Sequence, residues 1–119
     1  MPQSLYERLG GRRKIEAIIN DAVDLHLKNP AIAPRFQKHD IAKLKQLGSE
    51  FFCVGAGGPE TYSGRDMRTA HSGMNISEQE FLATIDDIVK AMDKNGIGPQ
   101  EKNEVIAVLY SLKAEVVRV

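Results

Sequence analysis

The amino-acid sequence predicts an all-α fold, and three observations support this prediction. Apolar residues recur every three or four positions over several long segments, these segments end at glycine, asparagine or proline, and no alternating strand pattern competes with them. The chain has 119 residues, of which 42% are hydrophobic, so we expect a single domain over residues 1–119 with one modest core.

The first long helix is predicted over residues 13–28. Residues 4–9 can form one short helical turn before Gly10 and Gly11 interrupt it, and isoleucines then recur at helical spacing. Asn29-Pro30 ends the helix because proline lacks an amide donor and restricts the residue before it.

A second helix is predicted over residues 40–54, with Asp40 as its N-cap. One broad face of this helix is almost wholly apolar; it comprises Ile41, Leu44, Leu47, Gly48, Phe51 and Phe52. Residues 55–65 contain four glycines and a proline, so we expect a long irregular loop. Its glycines would let the backbone pass close to a bound group.

Three further helices complete the prediction. Residues 66–73 are expected to form one or two helical turns, and Ser77 with Glu80 forms a capping-box pattern that opens a helix over 77–95. Pro99 suits the first turn of a last helix over 99–117.

The charge balance and the single cysteine argue against several kinds of partner and location. The 16 Lys and Arg residues balance the 16 Asp and Glu residues, which disfavours nucleic acid as a main partner. The sequence has no apolar run long enough for a membrane span and no secretory signal, and Cys53 cannot form an internal disulfide. We therefore expect a cytoplasmic protein in which Cys53 is a small buried hydrophobic residue.

His71 carries the clearest chemical signal. It follows an apolar helical face and a glycine-rich loop, and further apolar residues come after it. A haem group needs a flat hydrophobic slot with one neutral imidazole on one side, and this segment can supply both.

The chain resembles the truncated haemoglobins, most closely those of group I. The resemblance covers nearly the whole chain and is carried by residues 4–11, Phe36, residues 51–58, the run YSGRDMRTAH over 62–71, and Phe81. It implies a two-over-two helical sandwich around one haem b, with His71 as the protein ligand to the iron.

The same resemblance implies the cofactor-binding residues. Phe36 matches the phenylalanine that stacks on the haem, and Arg65 and Arg68 lie near the expected haem edge, where guanidinium groups suit propionate carboxylates. Ordinary surface charge is an equally open interpretation of these arginines. The predicted set is Phe36, Leu44, Leu47, Phe51, Tyr62, Arg65, Met67, Arg68, His71, Ile76 and Phe81.

The chain departs from the family on the distal side, which faces the open position of the iron. Val23 stands where most members carry a tyrosine that donates a hydrogen bond to the gas ligand. We expect an apolar pocket and fast oxygen release; its lining would be Val23, Phe36, Leu44, Leu47 and Phe51. The alternative is that His26, Lys43, Lys45 or Gln46 reaches this pocket.

The resemblance implies binding of diatomic gases (oxygen, nitric oxide or carbon monoxide), for transport or sensing, or nitric-oxide dioxygenation with a partner reductase. Two alternatives remain open at this point. One is a haem-free interaction module on the globin scaffold, and the other is a redox or peroxidase-like haem protein. Peroxidase chemistry gains from a distal acid or base, which leucines do not supply.

Overall fold

The regular structure of the chain is helical, as the sequence predicts. The computed structural model describes residues 3–37 and 39–119. The helices are α1 (Leu5–Leu9), α2 (Gly11–Lys28), α3 (Ala33–Phe36), α4 (Ile41–Gly55), α5 (Met67–His71), α6 (Glu78–Lys94), α7 (Pro99–Ser111) and α8 (Lys113–Val116). Within the described ranges, strand-type pairing is limited to one parallel bridge between Ile76 and Val117. No helix in these ranges is long and apolar enough to cross a membrane.

The start of α2 and the presence of α3 differ from the prediction. Gly10 has a φ of 105°, a left-handed conformation that glycine adopts without steric cost. It ends α1 and directly precedes α2, which therefore starts at Gly11, two residues before the predicted start at 13. The sequence analysis missed α3 because a helix of four residues, with Pro34 in its first turn, is too short to show periodicity.

Local side-chain caps confirm two other predicted helix starts. The Asp40 side chain accepts a hydrogen bond from the Lys43 amide at the start of α4. Ser77 and Glu80 form the expected capping box at the start of α6.

The prediction of one continuous helix over 99–117 is wrong. The helix breaks at Leu112, which separates α7 from α8. The Ser111 hydroxyl donates to the Val108 carbonyl at 2.5 Å next to the break. Such local bonds compete with regular helix pairing.

Helix α2 forms the centre of the molecule and packs against both α4 and α6. Ile15, Ile18 and Met92 are fully buried in the core that these helices share. At the crossing of α2 and α4, a Cβ on Gly48 would lie 3.2 Å from the Ile19 Cγ2 atom, so the glycine permits close packing. Helix α2 thereby fixes where the apolar face of α4 lies relative to α6.

Candidate functional site

His71 lies at the end of the short helix α5. Asp66 caps this helix by accepting a hydrogen bond from the Thr69 amide at 3.2 Å. The His71 Nδ1 atom lies 2.8 Å from the Met67 carbonyl oxygen. Because a carbonyl only accepts hydrogen bonds, Nδ1 carries a proton, and in the neutral ring Nε2 then keeps its lone pair. This is the tautomer that a metal-binding imidazole requires.

The apolar face of α4 is only partly covered by the rest of the protein. Leu44, Leu47 and Phe51 are half-buried, whereas the fully buried side chains of this helix are those of Ser49 and Cys53. Helix α4 packs chiefly against α2, and Gly48, on the same apolar face, lies at that contact. A partly covered apolar face and an imidazole with a free Nε2 lone pair fit a haem group, which is flat, apolar and iron-centred.

Val23 and Phe36 lie on the α2 side of this region. Val23 is 7% exposed and belongs to the main hydrophobic core. Phe36 is half-buried and stacks on the His26 ring, with 5.1 Å between centroids and 18° between planes. The position of Phe36 is therefore set by a contact with α2.

His26 is a core histidine. Its Nδ1 atom lies 2.9 Å from Asp87 Oδ2, and the Asn29 amide nitrogen lies 3.3 Å from the same oxygen. Burial lowers the pKa of His26, although the Asp87 carboxylate opposes this shift. Because a carboxylate only accepts hydrogen bonds, Nδ1 carries a proton and donates to Asp87. The alternative in which His26 serves the distal pocket finds no support in this geometry.

The sequence analysis missed Asp87 and Asn29. Asp87 is buried on the apolar side of α6, next to Ile88 and one turn before Ala91. A carboxylate within an apolar helical stripe signals a buried polar partner, because an unpaired buried charge is costly.

Two polar residues of α4, Lys45 and Gln46, pair with acidic side chains near the surface. The Lys45 ammonium lies 2.9 Å from Asp24 Oδ1, and the Gln46 side-chain amide donates to Glu50 at 3.2 Å. Lys43 is exposed. These contacts direct Lys45 and Gln46 away from a distal role.

The loop between α4 and α5 is irregular, as predicted, and Tyr62 holds it against α4. The Tyr62 ring meets Phe51 edge-on, with 5.2 Å between centroids, and its hydroxyl donates to the Arg65 carbonyl at 2.6 Å. A Cβ on Gly58 would lie 2.5 Å from the Tyr6 ring. Gly58 therefore permits a close approach to Tyr6, and the passage of the loop close to a bound group stays a prediction.

The two arginines expected at the haem edge differ. Both are exposed, but one nitrogen of the Arg68 guanidinium donates to the Ala114 carbonyl at 3.3 Å. Arg68 thus links α5 to α8, a role that the sequence did not indicate.

Ile76 and Phe81 follow His71 and are both buried. Ile76 bridges to Val117, and Phe81 meets Tyr110 edge-on with 6.0 Å between centroids. Tyr110 is 46% exposed, and the sequence analysis did not identify it. Met67, at the start of α5, is half-buried.

A small apolar cavity of about 30 Å³ lies between α1, α4 and α7. It is lined by Leu5, Phe51, Phe52, Gly55, Ala56, Val105, Val108, Leu109 and Leu112. Phe51 thus contributes to this cavity as well as to the partly covered apolar face of α4. Cys53 is 1% exposed, and burial raises the pKa of its thiol to about 11, which confirms that it is a buried hydrophobic residue.

Comparison with known proteins identifies relatives that match nearly the whole chain, including the site. The family model of the bacterial-like globins matches residues 4–118. The group 1 truncated hemoglobin of Tetrahymena pyriformis is 28% identical over 108 residues, which cover 91% of this chain and 89% of that protein. The group 1 truncated hemoglobin GlbN of Mycolicibacterium paratuberculosis is 25% identical, with 97% of this chain and 85% of that protein covered.

Solved structures share the arrangement of helices. The crystal structure of the Tetrahymena pyriformis truncated hemoglobin in its Fe(III) form has a TM-score of 0.95 at 25% identity, covering 98% of this chain and 100% of that chain. The group II truncated hemoglobin from Bacillus anthracis shares the fold, with a TM-score of 0.90 at 24% identity, covering 100% of this chain and 94% of that chain. These matches confirm the expected truncated-globin architecture.

Proposed function

The chain belongs to the bacterial-like globin family, and we propose that it uses His71 to hold a haem iron that binds a diatomic gas. Binding of haem and of gas ligands in general follows from membership of this family and from the group 1 truncated hemoglobin relatives. The identity of the iron ligand, the lining of the site and the preferred gas are our proposals.

The contact between His71 Nδ1 and the Met67 carbonyl is the observation that carries the proposal. The Met67 carbonyl accepts the Nδ1 proton at 2.8 Å and leaves Nε2 free. The same bond restricts rotation of the ring, so the lone pair has a defined direction. When bound, the haem iron supplies one coordination position for this imidazole and one open position for a gas.

The distal side is proposed to be apolar. Leu44 and Leu47 lie on the partly covered face of α4, and Val23 stands where the resemblance to the truncated haemoglobins implies a hydrogen-bonding tyrosine. His26 faces Asp87, so the α2 histidine supplies no proton to this side. This arrangement favours reversible binding of uncharged gases over peroxidase-like chemistry, which needs a positioned acid or base. Nitric-oxide dioxygenation stays a prediction from the resemblance.

The iron ligand can be tested with a His71→Gly variant, in which free imidazole can replace the missing ring. We expect wild-type protein to show a haem Soret band, His71→Gly to lose or shift it, and added imidazole to restore it. His39→Ala is the matched control, because His39 is an exposed histidine. An unchanged spectrum in His71→Gly would contradict ligation by His71, and failure of the wild type to take up haem would favour the haem-free module.

A further inference from the structure

The helix that carries His71 is attached to the rest of the protein mainly through the last seven residues described, 113–119, which we call the strap. None of the residues of α5 is buried. The main packing partner of α5 is α8, which lies within the strap. The position of His71 therefore depends little on the hydrophobic core.

Backbone hydrogen bonds tie the strap to the residues that follow His71. The Gly73 amide donates to the Val119 carbonyl at 3.0 Å, and the Arg118 amide donates to the Ile76 carbonyl at 3.0 Å. Ile76 also forms a parallel bridge with Val117. These bonds lie on the chain only two to five residues beyond the imidazole.

Side chains extend the same attachment in both directions along the chain. Arg68, on α5 itself, donates to the Ala114 carbonyl at 3.3 Å. The Lys113 ammonium pairs with Glu78 in the first turn of α6. The strap therefore contacts α5 and the start of α6, and spans the segment between them.

Backbone strain coincides with this attachment. Asn75 and Arg118 have φ values of 51° and 55°, and among the described residues they alone are non-glycine residues with positive φ. The Arg118 guanidinium donates to Asn75 Oδ1 at 3.1 Å, so the two strained residues also bind each other. Strained backbone of this kind persists where the surrounding contacts over-determine it, and it clusters at functional positions.

We propose that the strap is a positioning element that sets the reach and orientation of His71 toward the iron. The proposal rests on ligation by His71, and it adds that residues 113–119 control the strength of the bond between the imidazole and the iron. Because α5 contributes no buried residue to the core, loosening the strap releases α5 while the packing of α2 with α4 and α6 is retained.

Two variants loosen the strap in different ways. Deletion of residues 117–119 removes the bridge to Ile76 and the acceptor of the Gly73 amide. Arg118→Pro keeps the chain length but removes the amide that bonds Ile76, and proline cannot adopt the φ of 55° found there. Lys94→Ala is the control, because Lys94 pairs with Asp21 at 3.3 Å between α6 and α2, remote from the strap.

The first measurement is backbone hydrogen exchange in the haem-free protein, which does not depend on whether His71 binds iron. We expect the amides of residues 70–74 to exchange at least about tenfold faster in both strap variants, with the amides of α2 and α6 changed by less than about twofold. Lys94→Ala should change neither set. Unchanged exchange at 70–74 would overturn the proposal, and so would faster exchange throughout α2 and α6, which would make the strap part of the core.

The second measurement is the iron–histidine stretching band of the ferrous, haem-loaded protein. We expect it to shift or broaden in the strap variants and to stay as in the wild type in Lys94→Ala. An unmoved band despite faster exchange would show that the strap anchors α5 without positioning His71, and would contradict the proposal. The imidazole rescue of His71→Gly tests the ligand itself, so the two proposals can fail separately.

Discussion

The two sides of the proposed haem site are built in different ways. On the α2 side, Val23 and His26 are 7% and 5% exposed, and the Asp87 carboxylate connects α2 to α6 inside the protein. On the α5 side, no residue of the helix is buried, and the attachment consists mainly of bonds to the strap. The core therefore determines the shape of the α2 side, whereas a few hydrogen bonds to a distant segment of the chain determine the position of His71.

This contrast predicts how substitutions act. A change on the α2 side alters the core and should appear first as lost stability. A change on the α5 side leaves the core intact and should appear first in the properties of the bound haem. Four variants test whether effects on stability and effects on the bound haem separate in this way.

Asp87→Ala is expected to have the largest effect. It removes the acceptor of the buried His26 ring and of the half-buried Asn29 amide, and should lower the free energy of unfolding by about 2–4 kcal/mol. Urea unfolding of the haem-free protein measures this loss. Asp24→Ala is the control, because Asp24 forms an exposed pair with Lys45, and it should change little. A loss of unfolding free energy below about 1 kcal/mol for Asp87→Ala would show that the core does not depend on this contact, and would contradict the contrast between the two sides.

Val23→Tyr tests whether the α2 side faces the gas ligand. A hydroxyl at this position should donate a hydrogen bond worth about 1.5–3 kcal/mol to a polar ligand such as oxygen, and should slow its release at least several-fold. Stopped-flow measurement of oxygen dissociation gives the rate. Val23→Phe adds similar bulk without the hydroxyl and separates this effect from overpacking of the core. Equal rates in the two variants would show that position 23 does not reach the ligand.

Glu80→Gln tests a contact that joins the two sides. Arg35 binds the Glu80 carboxylate at 2.7 and 3.1 Å and also donates to the Met74 carbonyl, three residues beyond His71. The Arg35 hydrogen bond holds the pKa of Glu80 at about 2, against an ordinary value of 4.5. The resulting stabilisation is present above about pH 4.5 and is lost as the pH falls toward about 2.

We expect Glu80→Gln to cost about 1 kcal/mol at pH 7 and to reduce the fall in stability between pH 5 and pH 3. Glutamine can keep the capping-box geometry with Ser77, so the charge is the main change. Urea unfolding at both pH values measures the effect. An acid-induced fall equal to that of the wild type would show that the Arg35 pair does not contribute to it.

Arg65→Ala is expected to have the smallest effect. Arg65 is exposed, and the structure gives its guanidinium no role in the core. Thermal unfolding of the haem-free protein should be unchanged, whereas haem loss should be a few-fold faster if the guanidinium pairs with a propionate. Lys14→Ala, a loss of charge at an exposed position on α2, serves as the control. Equal haem loss in both variants would assign Arg65 to ordinary surface charge.

The amino-acid sequence by itself determined the parts of the fold that depend on near neighbours. The apolar periodicity of α2, α4 and α6 predicted their existence, and Asp40 and Ser77 marked two helix starts, because caps bind amides only two or three residues away. The motif around His71 indicated the candidate iron ligand, and the proton position that its proposed role requires is set by Met67, four residues earlier.

Only the tertiary structure decided the contacts between distant segments. His26 and Asp87 are 61 residues apart, and they meet because α2 packs on α6. Ile76 and Val117 meet because the last helix breaks at Leu112 and the chain turns back toward α5. Neither partner in these pairs has a local pattern that specifies the other. Such contacts form only when the helices pack, so the support of His71 could not be predicted from the residues around it.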